Sequence, residues 1–167
     1  MKRRIVVSAA VALGFAAVAF GTAGASTQRS AGKSVTFHLV EKGVGFNFVD
    51  NPPRQGPNAP PLIGDQFALS SELQTRSGQH AGWLEAACTV ARGGVAAQGP
   101  CYGVFLLKGG QLAGITAVPL NGNGNPPVKV AIVGGTGVYE GVTGSVLSIS
   151  RGENSPYNDD TFHLIWP

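Results

Sequence analysis

Apolar and polar residues alternate in short runs along most of this chain, and glycine or proline separates one run from the next. Val35, Phe37 and Leu39 fall on one side, and Thr36, His38 and Val40 on the other, which predicts a strand over Val35–Val49. Gly43 and Gly45 interrupt that strand and predict a bend or bulge there. Asp65–Leu73 repeats the pattern with Phe67, Leu69, Ser71 and Leu73 on one face, and Gly82–Ala91 places Leu84, Ala86, Cys88 and Val90 together. Cys101–Leu107, Gln111–Val118, Val128–Val133, Gly144–Ser150 and Thr161–Trp166 bring the predicted strands to eight. Ser77-Gly78 and Gly93-Gly94 read as turns, and Gly109-Gly110 as a two-residue hairpin turn that tolerates positive φ. Asp50–Pro61 holds five prolines, too many for a ladder, and predicts a long loop of the kind that covers a barrel mouth. Asn121–Pro127 predicts a second loop. Eight regularly spaced strands imply a sandwich or a closed barrel, and alternation alone does not choose between them.

The segment AIVGGTGVYEGVTGSVLSIS, Ala131–Ser150, carries the most distinctive spacing. A hydrophobic strand followed by GGTG suggests a dinucleotide loop, but that loop requires a helix whose N-terminal amides meet the pyrophosphate. Val138, Tyr139, Gly141, Val142, Thr143 and Gly144 are poor helix formers, and Val146–Ser150 is rich in strand formers. The expected structure is therefore two strands joined by a turn at Gly134, Gly135 and Gly137, with Gly144 as a bulge or close-approach point. A nicotinamide-dependent reductase is disfavoured on the same ground.

This segment resembles the glycine turn of the allene oxide cyclase and dirigent barrels. Gly64-Asp65 followed by Ser70, Ser71 and Leu73 is similar to a second run of the cyclases, and Gly82–Cys88 to a strand that also ends in cysteine there. The resemblance spans about residues 34–166. It implies an all-β fold, an eight-stranded antiparallel up-and-down β-barrel, enclosing a hydrophobic guest. It places pocket positions on Phe67, Leu69, Ser71 and Cys88. The cyclases' first-strand glutamate falls nearest His38, with Glu41 offset in phase, so His38 and Ser71 are the candidate catalytic residues. Members often form dimers or trimers, which allows a homo-oligomer here.

Charge and processing signals change the picture at the N-terminus. Lys2, Arg3 and Arg4, the apolar run Ile5–Phe20 and Ala23-Gly24-Ala25 read as a secretory signal over residues 1–25. Its sixteen apolar residues fall short of the roughly twenty needed to span a bilayer. Residues 26–33 read as a disordered leader and 34–167 as the barrel domain. The full chain has 12 Lys+Arg against 9 Asp+Glu, but the signal holds three of the basic residues, leaving nine of each. No basic cluster remains for nucleic acid or for a membrane surface after signal cleavage.

Cys88 and Cys101 flank the Gly93-Gly94 turn, so a symmetric hairpin places them opposite one another. In an oxidising compartment that predicts a disulfide. His38, His80 and His163 lie on separate elements, and no nucleophile elbow or metal motif is present, so neither a cofactor nor a metal is expected. The carboxylates Glu41, Glu72, Glu85 and Glu140 read as solvated, and Asp159-Asp160 as a turn before the last strand. The expected function is a secreted barrel binding a small hydrophobic molecule through Phe67, Leu69, Ser71, Leu84, Ala86, Phe105 and Leu107. It would direct cyclisation or isomerisation by shape more than by acid–base groups. The alternatives are a non-catalytic carrier, or a surface-interaction protein with a filled interior.

Overall fold

A computed structural model describes residues 32–51, 59–120 and 126–167. Eight strands follow one another: β1 Ser34–Val49, β2 Gln66–Gln74, β3 His80–Thr89, β4 Gln98–Leu107, β5 Gly110–Pro119, β6 Val128–Gly137, β7 Thr143–Ser150 and β8 Tyr157–Ile165. Each pairs antiparallel with its neighbours in the chain, and β1 also pairs with β8, so the sheet closes into an up-and-down barrel. Closure removes the unpaired edges that an open sheet would present, and it decides between barrel and sandwich. The expected signal falls on residues 1–25 and the expected leader on 26–33, and Pro52, Pro53, Pro57 and Asn121–Asn125 fall in the predicted loops. Residues 1–31, Pro52, Pro53, Pro57 and Asn121–Asn125 lie outside the described residues. Gly32 and Lys33 are described, the Lys33 carbonyl accepting the Trp166 N–H at 2.9 Å.

The β1 irregularity falls where Gly43 and Gly45 predict it, with Val44 left over between two paired positions. Two expectations are corrected. Gly134–Gly137 is not the turn but the end of β6, paired with Gly110–Ala113 of β5, and Val133 is the bulged residue. The chain turns instead over Val138–Gly141. Close backbone packing is the reason: at Gly137 (φ +63°) a side chain would collide with the Gly109 carbonyl oxygen. Gly144 (φ +146°) is a close-approach point as expected, because a Cβ there would meet the His163 carbonyl. Asp159-Asp160 is likewise no turn, since β8 begins four residues earlier than alternation suggests and includes both.

Inward residues at one end of the barrel form a dry core of Leu39, Leu73, Phe105, Leu112, Phe162 and Leu164, with others packed around them. Phe162 stacks on Phe37 at 4.6 Å between centroids and meets Phe105 edge-on at 5.1 Å. Val142 follows the β6–β7 turn and is fully buried, and Tyr139 and Trp166 pack against the same cluster. At the other end, Asp65 anchors the chain on either side of the proline-rich loop. Its buried carboxylate accepts the backbone N–H groups of Asn51 and Leu62, each at 2.9 Å.

Candidate functional site

The strand registers place three rows of inward residues one above another. Ser71, Leu84, Phe105 and Leu112 form the row nearest the core, and Leu69, Ala86, Gly103 and Gly114 the next. Phe67, Cys88, Cys101 and Thr116 form the third. The middle row is nearly devoid of side-chain volume on β3–β5, and the lumen opens there into a cavity of about 340 Å³. Its walls are mostly apolar, with Phe67, Leu69, Leu84, Ala86 and Phe105 among them, joined by Val118, Val128 and Val130. Leu107 does not border this space and packs against the core instead. Cys88 and Cys101 form the expected disulfide, with Cα atoms 4.1 Å apart, and line the same cavity.

One side of this apolar space is polar. Glu41, Asn158, Asp160 and Ser148 line it from β1, β8 and β7. Glu41 shares the inward phase of Phe37 and Leu39, and is not on a solvated face: it is 8% exposed. Its oxygens are held separately, Ser71 Oγ donating to Oε1 at 2.7 Å and Asn158 Nδ2 to Oε2 at 3.0 Å. Ser71 is thus buried behind Glu41 and does not itself line the cavity.

Asp160 contrasts with its neighbour in the chain. Asp159 points outward into a two-pronged pair with Arg151, at 2.7 and 3.1 Å, and the hydrogen bonds to that guanidinium hold its carboxyl below the usual range. Asp160 points inward and is 1% exposed, and neither of its oxygens has a hydrogen bond of ordinary geometry. Burial, and after it the negative charge of Glu41, push its carboxyl up to about 7. Ser148, directly across the β7–β8 ladder, offsets part of this without completing a bond.

His38 is on the outer face, its Nδ1 3.1 Å from Thr161 Oγ1 across the barrel seam. His163 makes the mirror contact with Thr36 at 3.0 Å, so the two histidines do share the seam but face away from the lumen. His80 lies outside beside Glu72 at 3.2 Å. Glu85 accepts from Ser70 on the outer wall, and Glu140 is exposed in the β6–β7 turn. Glu41 and Asp160 are the polar groups that sequence reasoning missed. Counting in twos, from Phe37 to Glu41 and from Leu164 back to Asp160, finds both.

Fold and site together define a small closed β-barrel whose hollow half is apolar and edged by two buried carboxyl groups. Solved structures of similar shape include a pyocyanin demethylase, with TM-score 0.64 and 23% identity, covering 78% of this chain and 99% of that one. A pterocarpan synthase dirigent protein matches with TM-score 0.59 and 17% identity over 80% of this chain and 94% of its own. An exo-specific intermolecular Diels-Alderase, AbnU, matches with TM-score 0.57 and 16% identity over 79% and 99%. At these identities the likeness shows the fold. No protein-family model matches the chain, and no curated protein does.

Proposed function

We propose that this protein is a secreted barrel that encloses a small hydrophobic molecule and directs its cyclisation or isomerisation. The observation that carries the reading is a buried carboxyl group with no completed hydrogen bond, Asp160, on the wall of a 340 Å³ apolar cavity. A filled, purely structural interior has no reason to keep such a group, because burying an unpartnered carboxyl is costly. A carboxyl that titrates near neutrality is suited to give a proton to a substrate oxygen or take one from an acidic carbon. Glu41, fixed by Ser71 and Asn158, stands beside it on the same wall and contributes to the rise of the Asp160 carboxyl. Isomerisation and cyclisation need no external oxidant or reductant, so proton movement and confinement suffice. Acid–base chemistry therefore has a larger share than the sequence reading allots it.

The neighbouring folds support this reading, since among them are a dirigent protein and a Diels-Alderase. So does the allene oxide cyclase resemblance, whose first-strand glutamate is better matched by Glu41 than by His38. The N-terminal signal pattern and the Cys88–Cys101 disulfide support export.

Native mass spectrometry of the protein mixed with lipid extracts, followed by a turnover assay of whatever is retained, tests the proposal. The expected result is a retained apolar compound that wild type converts, and that Asp160→Asn binds without converting. Binding without conversion by wild type would leave a carrier, and no retained compound would leave an interaction protein.

A further inference from the structure

Among the described residues, the ionisable side chains bordering the cavity are Glu41 and Asp160. Among the described residues no Lys, Arg or His lines it, and the elements packed against Asp160 offer none inward. On β1, His38 and Lys42 alternate outward from Glu41, Lys42 towards Glu72. On β7, Ser148 is the facing group, and on β8 itself Asp159 is turned out to Arg151. The donors to Glu41 are a hydroxyl and an amide, neither of which carries a compensating charge. The hollow half is thus a low-dielectric space with acidic groups on one wall and aromatic rings, Phe67 and Phe105, on others. Both features favour positive charge in the space between them.

We infer that the ligand of this lumen is an organic cation on an apolar skeleton: a protonated amine or a positively charged nitrogen heterocycle. The inference rests on the proposed ligand-binding role of the cavity and names the chemistry of the guest. An anionic guest is disfavoured, because a carboxylate placed beside Glu41 and Asp160 meets two acids and, among the described residues, no cation. A bound cation supplies the charge that Asp160 lacks and draws its proton off.

Three probes of one shape separate the terms: 2-naphthylmethylamine, 2-naphthalenemethanol and 2-naphthoate. Calorimetric titration of the wild-type protein at pH 7.5 is expected to rank them amine, alcohol, carboxylate. The amine should bind about tenfold tighter than the alcohol, the part of a partly screened Coulomb attraction that survives desolvation of the ammonium. In Glu41→Gln/Asp160→Asn, the amine should fall to within about threefold of the alcohol measured in the same variant. A second readout uses wild type alone. At pH 6.5, amine binding should release protons, seen as a heat that varies with the buffer's ionisation enthalpy, and alcohol binding should not. Equal affinities for amine and alcohol, or a preference for the carboxylate, would overturn the cation assignment and leave the hydrophobic-ligand reading standing. Failure of all three probes to bind would remove both.

Discussion

Two halves of one barrel are built from the same strands and differ by a single pleat. On β3, β4 and β5 the row Leu84, Phe105, Leu112 closes the interior, and the next row, Ala86, Gly103, Gly114, leaves it empty. The closed half is sealed further by Phe37 stacked on Phe162, and by Leu73, Leu164 and Val142. Closure and hydrogen bonding are shared, so the fold does not require the hollow. Side-chain volume alone makes it. The closed half holds the barrel together, and the open half, where Glu41 and Asp160 lie, keeps an unfilled apolar lumen.

Substitution in the closed half should do the most damage. Phe162→Ala removes a fully buried ring and both of its aromatic contacts, and should cost about 3–5 kcal/mol in urea denaturation. The same truncation at Phe67, which borders the cavity, should cost no more than about 2 kcal/mol, because part of its surroundings is already empty. Equal losses at the two sites would erase the distinction between the halves.

The next effect is a pH dependence that belongs to the open half. Asp160 has its carboxyl raised from 3.8 to about 7 in the folded protein. Between those values the folded chain keeps a proton that the unfolded chain has lost, so stability falls as pH rises through the window and levels off above it. The fall should be on the order of 4 kcal/mol, and Asp160→Asn should flatten it. A wild-type curve flat from pH 4 to 7 would argue that the carboxyl is not buried and unpaired as described.

Opening the disulfide comes third. It joins residues thirteen apart at the open end, and Cys88→Ser/Cys101→Ser should lose about 2–3 kcal/mol. Because both sulfurs also line the cavity, any ligand affinity should weaken in the same variant. The smallest effect lies outside the barrel, where His38→Ala should change stability by less than about 0.5 kcal/mol and leave turnover intact. A large loss of turnover there would restore His38 as a catalytic candidate.

Much of the barrel is legible in the chain, for a definable reason. Alternation survives wherever one face is buried and the other wet, so the Phe67–Leu73 and Leu84–Val90 faces read correctly, as does the cysteine pair across its turn. Glycine misleads at Gly134–Gly137, because a residue that usually marks a turn is used here inside a strand where two backbones approach. Glu41 and Asp160 are in phase with inward neighbours, yet acids are assigned outward by habit, since isolated buried carboxyls are rare. The hollow itself is not legible. Ala86, Gly103 and Gly114 are unremarkable one at a time and form an empty row only once the registers of three strands are known.

Xenon tests the central contrast most directly, since it enters apolar voids without needing the natural ligand. Crystals of the protein under xenon pressure should show the atom beside Ala86 and Gly103, with none among Phe37, Phe105 and Phe162. Ala86→Phe, which fills the open half, should abolish the site. Absence of xenon from that space, or occupancy unchanged by Ala86→Phe, would contradict the account of a barrel half filled and half hollow.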